Sequence, residues 1–204
     1  MQSVFSFSFS FYKMFSRCLV PFSFAGLWMW MVLMVHSSMG ERNWEYEPLS
    51  IAVFSSDESL LKIGARIDRL KRGEFACSMT VDWNYDPDEN TMIEGDAYHS
   101  SSGVESDYKI LPWSIPKQPF FEFLNGFYKD AFIKNVGYCS NLVQSEGDYV
   151  PPWPRNVYRL DKCVVNGDGL PEIVPEGFYK IVYKASGQVE WGCTLIVKVT
   201  TKLI

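Results

Sequence analysis

The chain is poor in the side chains that most catalytic and metal-binding sites require. It has two histidines, His36 and His99, in 204 residues, so a Ser-His-Asp or Cys-His mechanism has few positions to use. Its cysteines form no C-x-x-C pair, which argues against zinc and thiol redox sites, and no G-x-S-x-G sequence is present. These absences argue against an enzyme, and we expect neither a metal nor a cofactor.

One acidic stretch, DWNYDPDEN, carries oxygen-bearing side chains at alternate positions, as a calcium loop does. They are Asp82, Asn84, Asp86 and Asp88. Pro87 stands where such a loop requires glycine, and Ile93 stands where it requires a bidentate glutamate. We therefore interpret the stretch as a polar hairpin turn.

The first forty residues contain no aspartate or glutamate, carry Lys13 and Arg17, and then become apolar. This pattern predicts a secretory signal peptide over residues 1–40, beginning at Met1 or Met14 and cleaved between about residues 37 and 41. The alternative is an uncleaved anchor over residues 19–35, which is at the lower limit for spanning a bilayer. We expect a single domain over residues 41–204 in a secreted, extracellular protein.

Removal of the signal leaves 17 basic residues against 24 acidic ones, a net charge of −7. An acidic chain without a basic stripe is not expected to bind nucleic acid. Four cysteines remain, and an even number in an exported chain predicts two disulfides with three possible connectivities. We predict Cys139–Cys163 and Cys77–Cys193, the second because Cys77 and Cys193 both lie on inward strand faces.

Alternating apolar residues predict a chain made mostly of strands. GEFACSMTVDW and NTMIEGDAY are expected to form one hairpin, and GFYKIVYKA and EWGCTLIVKVTTKL another, joined by SGQ. WEYEPLSIAVF, LLKIGARIDRL and NVYRLDKCVV predict further strands, and strict alternation in the last places Cys163 on the face opposite Tyr158 and Leu160. The predicted fold is mainly β, an antiparallel β-sandwich or β-cup with one amphipathic helix.

That helix is predicted over Pro116–Val136 and is unusually rich in aromatic residues. A 3.6-residue period places Phe120, Leu124, Phe127 and Ala131 on one line and Phe121, Tyr128 and Phe132 on a neighbouring line. Either the whole helix packs on a sheet, or one aromatic line faces the sheet and the other faces a cavity. The periodicity leaves both interpretations open.

Several motifs suggest a family. DESLLK, DWNYDPDENTM, SSSGVESDYKILPWSIPKQPF, CSNL, PPWPRNVYRLDKCVVNGDGLP and PEGFYKIVYK together resemble the insect CheB chemosensory proteins. Those proteins are secreted relatives of the ganglioside activator protein, within the ML-type lipid-recognition group. The resemblance covers roughly residues 44–204, and Cys139 and Cys163 match cysteines of the family motif.

The resemblance implies a β-cup that holds a hydrophobic small molecule, a lipid or a cuticular hydrocarbon, in gustatory detection of contact pheromones. It favours the cavity interpretation of the helix. The expected lining residues are Phe120, Phe121, Leu124, Phe127, Tyr128 and Phe132, with Trp113 and Trp153 from the proline-rich connections. The alternative function is an extracellular partner protein that modulates a sensory receptor or ion channel without carrying a ligand. We expect a monomer.

Overall fold

Two antiparallel sheets make up most of the computed structural model, which describes residues 42–202. The larger sheet has the order β1-β9-β8-β4-β5, with β6 also paired to β4, and the smaller sheet has the order β2-β3-β7. The strands are β1 (Trp44–Ser55), β2 (Leu61–Lys71), β3 (Glu74–Trp83), β4 (Met92–Ser100), β5 (Lys109–Ile110), β6 (Ile115–Pro119), β7 (Asn156–Cys163), β8 (Gly177–Ser186) and β9 (Trp191–Thr201). The predicted mainly-β antiparallel sandwich is confirmed.

Short turns join two pairs of consecutive antiparallel strands, β2–β3 and β8–β9, into hairpins. β2 and β3 are joined through Gly73, whose φ of 77° suits the turn because glycine has no Cβ. The predicted β8–β9 hairpin is confirmed, with Ala185 opposite Trp191. The predicted β3–β4 hairpin is wrong, because β3 pairs with β2 and β7 while β4 belongs to the other sheet.

The helical segment begins at Phe120, four residues later than predicted, because Ile115–Pro119 forms β6 alongside β4. Residues that precede prolines are pushed away from helical backbone angles, so the prolines at both ends of this stretch favour a strand. The segment consists of α1 (Phe120–Phe123), wider π-helical turns over Leu124–Phe132 that are kinked at Gly126, and α2 (Ile133–Val136). A short 3₁₀ turn, Gly137–Cys139, follows.

The Cys139–Cys163 disulfide is present and ties the end of the helical segment to β7, with Cα atoms 5.5 Å apart. Cys77 lies opposite Cys163 and Met79 lies opposite Leu160, so β7 has one residue more than β3 between these two pairs. This bulge brings Cys163 to the buried face that Leu160 also occupies. The extra residue contradicts the strict alternation expected for this strand.

The predicted Cys77–Cys193 disulfide is not formed: both are free thiols in the part of the chain that the structure describes. Cys77 lies on β3 of the smaller sheet and Cys193 on β9 of the larger one. The inward alternation that predicted this pair gives the direction of each side chain but not the separation, and a disulfide needs Cα atoms about 4.4–6.8 Å apart. The two thiols lie near one another without bonding.

Among the described residues, no helix is long and apolar enough to cross a bilayer. The predicted signal peptide over residues 1–40 and its alternative, an anchor over residues 19–35, lie outside the described residues.

Candidate functional site

Buried apolar residues collect at the two ends of the sandwich. At one end lies a large cluster, here called the aromatic end, made of Leu61, Trp83, Tyr85, Ile93, Phe120, Leu124, Tyr128, Tyr149, Trp153, Tyr158, Ala185 and Val189. At the other end of β8 and β9 lies a smaller cluster of Trp44, Tyr179, Val197 and Val199. A third cluster, around the disulfide, contains Val136, Leu160 and Cys163. Between the two end clusters the strands carry half-buried residues that pack against these clusters: Ile63 and Val81 against the aromatic end, Leu195 against the smaller cluster and Met79 against the third.

On the larger sheet, two transverse rows of inward-facing residues occupy this middle region. The strand registers place Val53, Cys193, Tyr183 and Gly95 in one row and Ile51, Leu195, Ile181 and Ala97 in the next. Strand alternation places them on the same face as Trp191 and Ala185 at the aromatic end and Val197 and Tyr179 at the other. Apart from Gly95, these residues keep part of their surface exposed.

The smaller sheet presents a matching set. Its central inward pairs are Ile63 with Val81, Ala65 with Met79, and Ile67 with Cys77, and all six residues are half-buried. We call these six residues and the two rows of the larger sheet the mid-layer. In a sandwich whose sheets fill the space between them, such central positions would be the most deeply buried. Here they are half-buried, and thus less buried than the residues at the ends.

Tyr183 illustrates the environment of the mid-layer. Its ring lies over Gly95, where an added Cβ would come within 3.0 Å of the ring carbons. Burial raises the pKa of Tyr183 well above its usual range, with a smaller contribution from the nearby Cys193. Gly95 therefore makes room for the Tyr183 ring.

The helical segment closes the aromatic end and reaches the mid-layer through one residue. Phe120, Leu124, Tyr128 and Ala131 are its buried line. Wider turns and the kink at Gly126 shift the later residues, so Tyr128 takes the place on this line that the 3.6-residue period gave to Phe127. The Phe127 ring instead lies 6.1 Å from that of Tyr183 and 6.1 Å from that of Phe123. The predicted two lines are therefore regrouped, and Phe127 faces the mid-layer.

The structure separates the predicted lining residues into three groups. Phe120, Leu124, Tyr128 and Trp153 are buried at the aromatic end, and Phe121, Phe127 and Phe132 are half-buried. Trp113 is 43% exposed, on the connection between β5 and β6. Apart from Cys193, which was placed on an inward face as a disulfide partner, the sequence prediction did not name the mid-layer residues of β8 and β9. The alternation of apolar residues in these strands shows which side chains point toward the other sheet. It does not show whether side chains of that sheet fill the space between them.

The thiols in the mid-layer are protonated at neutral pH. Burial, with a smaller contribution from nearby Cys77, raises the pKa of Cys193 to about 11. Burial also raises the pKa of Cys77, and Asp68 adds to this. Both side chains are thus apolar in character, which suits the surrounding surface.

The polar groups considered for chemistry in the sequence have structural partners. His99 Nε2 lies 2.9 Å from the carbonyl oxygen of Glu176, and its ring centroid is 4.9 Å from that of Tyr179. The hydroxyls of Ser100, Ser101 and Ser102 all donate to the carboxylate of Asp107. These bonds fix the connection that follows β4.

The stretch with calcium-like spacing also forms internal bonds. Arg155 Nη2 donates to Asp86 at 2.6 Å, and Asp88 accepts from Thr91 and Asn90. Within residues 42–202 no group of three or more acidic, histidine or cysteine side chains is placed to hold a metal ion. The stretch connects the two sheets by joining β3 to β4, which replaces the predicted hairpin turn.

One family model matches the chain, over residues 93–181, and it is described as a protein of unknown function (DUF1091). The matched segment runs from β4 through the helical segment and β7 into β8, and so includes both Phe127 and the inner residues of β4. The match is compatible with the resemblance to CheB proteins but does not establish it. A comparison with curated proteins found no match.

Proposed function

We propose that the protein is a secreted carrier of a hydrophobic small molecule, a lipid or hydrocarbon, which it binds between its two sheets. The observation that supports the proposal is the mid-layer. Its inward-facing side chains, including Ile181, Leu195 and Met79, are apolar and partly exposed, with closed clusters at both ends. An apolar ligand lying along this surface would remove it from water.

The energetics of burial are sufficient for such a ligand. Each buried methylene contributes about 0.8 kcal/mol, so a chain of about ten methylenes gains roughly 8 kcal/mol. The loss of translational freedom and the ordering of side chains reduce this to micromolar or somewhat tighter affinity. No charged group is needed in the interior, and the acidic side chains of the protein stay on its surface.

Secretion is supported by two features. The Cys139–Cys163 disulfide suits an oxidising compartment, and the amino-terminal sequence has the pattern of a signal peptide. The resemblance to CheB proteins extends the proposal to gustatory detection of contact pheromones. In that role the carrier would present its ligand to a sensory receptor or channel.

Matched substitutions on β9 test the carrier function. Leu195 faces the interior and neighbouring Ile196 faces outward, and both are half-buried. Leu195→Trp fills the interior and is expected to weaken binding of a fluorescent fatty probe about tenfold or more, equivalent to about 1.4 kcal/mol. Ile196→Trp adds the same bulk on the outer face and should leave binding within about twofold. Equal binding by both variants, each shown to be folded, would overturn the proposal.

Exposed apolar residues favour a second candidate function, in which the protein contacts a receptor or channel directly without transporting a ligand. Val104 is 58% exposed, Ile110 61% and Trp113 43%, all within one stretch after β4. Exposed apolar side chains suit contact with a protein partner where they adjoin one another. Native mass spectrometry of the secreted protein distinguishes the two functions, because only a carrier should retain a lipid mass that the Leu195→Trp variant loses.

A further inference from the structure

The end of the β2–β3 hairpin carries a local concentration of positive charge that the net charge of the chain does not reveal. The chain as a whole has 24 acidic residues against 19 basic ones. Residues 66–72, here called the basic tip, contain one acidic side chain, Asp68. They contain four basic side chains, all exposed: Arg66, Arg69, Lys71 and Arg72.

Two of these cations have a carboxylate partner and two do not. Two ion pairs are present, Arg66 with Asp68 at 2.9 Å and Lys71 with Glu74 at 2.7 Å. Arg69 and Arg72 form neither an ion pair nor a side-chain hydrogen bond with another described residue. Their charges are therefore available to an anionic partner.

A bulge exposes Leu70 between the cations. The β2–β3 register shifts between Arg69 and Lys71, so Leu70 has no partner on β3, and its side chain is 42% exposed. None of the three buried clusters contains a residue of the basic tip. Leu70 thus offers apolar surface to the outside without serving the packing of those clusters.

The basic tip also extends beyond the third strand of its sheet. β7 ends at Cys163, which lies opposite Cys77, whereas β2 and β3 remain paired as far as Lys71 and Glu74. The last pairs of the hairpin therefore form a two-stranded ribbon with no further strand of that sheet beside them. Such a ribbon can approach a flat surface with its end.

We propose that the basic tip docks the protein on a lipid bilayer containing anionic headgroups, with Leu70 entering the interfacial region and Arg69 and Arg72 at the phosphate groups. Cations near an anionic bilayer are attracted to it, and an apolar side chain gains free energy by leaving water. The inference goes beyond the carrier function, since it needs no ligand between the sheets.

Two other kinds of anionic partner fit the basic tip less well. A sulfated polysaccharide would attract the arginines but would offer Leu70 no apolar surface. A stable protein interface involves about 20–30 residues on each side, far more than the end of one hairpin presents. A bilayer provides negative charge and an apolar region at the same place.

Co-sedimentation of the secreted protein with lipid vesicles tests the proposal. Vesicles of phosphatidylcholine alone are compared with vesicles in which about a third of the lipid is phosphatidylglycerol. Binding to the anionic vesicles is expected to be about tenfold tighter or more, and to weaken when salt is raised from about 0.1 M to about 0.5 M, because salt screens the attraction. Equal binding to the two kinds of vesicle overturns the inference.

Matched double variants show whether the charges of the basic tip are responsible. Arg69→Gln combined with Arg72→Gln is expected to weaken binding to anionic vesicles about tenfold or more. Lys109→Gln combined with Lys184→Gln removes the same charge from exposed positions on the larger sheet and should leave binding within about twofold. Denaturant unfolding checks that both variants are folded. Equal losses in the two would show that overall charge decides binding, and would overturn the inference.

Leu70 distinguishes a bilayer from a soluble polyanion. Leu70→Ser is expected to weaken binding to anionic vesicles about fivefold or more. Val150→Ser removes another exposed apolar side chain, on the connection before β7, and should leave binding within about twofold. Heparin serves as a sulfated polysaccharide for comparison. If Leu70→Ser binds vesicles normally while the arginine double variant loses heparin binding, the partner is a sulfated polysaccharide and the bilayer assignment is wrong.

Discussion

Phe120 and Phe127 belong to the same helical segment, yet their environments differ. Phe120 is 4% exposed and packs against Trp83 and Trp153. Phe127 is half-buried, and its ring is next to that of Tyr183 in the mid-layer. Truncating the first side chain opens a cavity in packed core, whereas the second borders surface that is already accessible.

Single alanine substitutions should therefore have opposite effects on stability and binding. Phe120→Ala is expected to lower the free energy of unfolding by about 3–5 kcal/mol. Phe127→Ala should cost only about 1–2 kcal/mol, yet weaken binding of a fluorescent fatty probe by about fivefold or more. Denaturant unfolding and probe titration of both variants provide the measurements. If Phe127→Ala binds the probe as well as the unsubstituted protein does, Phe127 is only a packing residue.

The residues of the candidate site were predictable only in part. Aromatic crowding in the sequence identified the helical segment, and the structure places Phe127 beside the mid-layer. The inner residues of β8 and β9 could be assigned a direction but not a role, because partial exposure depends on the distance to the facing sheet. That distance results from the packing of both ends, which no local pattern encodes.

At the scale of elements, Asn135 attaches the helical segment to the connection before β8. It is 4% exposed, and its side chain makes three hydrogen bonds. Its Nδ2 donates to the carbonyls of Ala131 at 2.8 Å and Asp168 at 2.7 Å, and its Oδ1 accepts from the Gly167 N–H at 2.8 Å. The Asp168 carbonyl and the Gly167 N–H of this connection are thus both hydrogen-bonded to the Asn135 side-chain amide.

Asn135→Ala is expected to lower the free energy of unfolding by about 2–4 kcal/mol, because it removes a buried amide and all three of its hydrogen bonds. Asn166→Ala is the control on the same connection, since Asn166 is exposed and bonds only to neighbouring Asp168. Its cost should stay below about 1 kcal/mol. Equal losses in the two variants, measured by denaturant unfolding, would contradict this account.

The positions of the strands were predicted better than the pairing between them. Alternation located β1, β2, β3, β7, β8 and β9, and the SGQ turn identified one hairpin. The β3–β4 connection has the polar, proline-containing composition of a hairpin turn, but composition does not show which sheet the next strand joins. The bulge before Cys163 and the kink at Gly126 each shift a periodic pattern. One extra residue or one wide turn changes which side chains are buried, and neither has a strong sequence signal.

For the molecule as a whole, buried phenols determine the response to alkaline pH. Burial raises the pKa of Tyr85 to about 12 and that of Tyr158 to about 12, whereas tyrosines of the unfolded chain ionise near pH 10. Below about pH 10 both states keep these protons, so the two groups add no pH dependence. Between about pH 10 and 12 the unfolded chain binds fewer protons than the folded one, and stability falls as pH rises.

The expected result is a free energy of unfolding that decreases steadily above about pH 10. Cys193, with its pKa raised to about 11, adds an earlier decrease that begins near its ordinary value of 9.0. Cys193→Ser should reduce that early part, to which Cys77 with its own raised pKa also contributes, and leave the tyrosine part unchanged. Denaturant unfolding over this pH range, with the disulfide intact, measures both. A rise in stability through this range would contradict the assignment.

The disulfide of the described residues joins the helical segment to the smaller sheet, and no sulfur bridge links Cys77 on one sheet to Cys193 on the other. The spacing of the sheets is consequently set by side-chain packing at their two ends. Packing contacts allow this spacing to change by small amounts, whereas a disulfide between the sheets would fix it at one value. In the proposed carrier function, we therefore expect chains of different width to be tolerated, so that methyl branches on a ligand reduce affinity gradually instead of abolishing it.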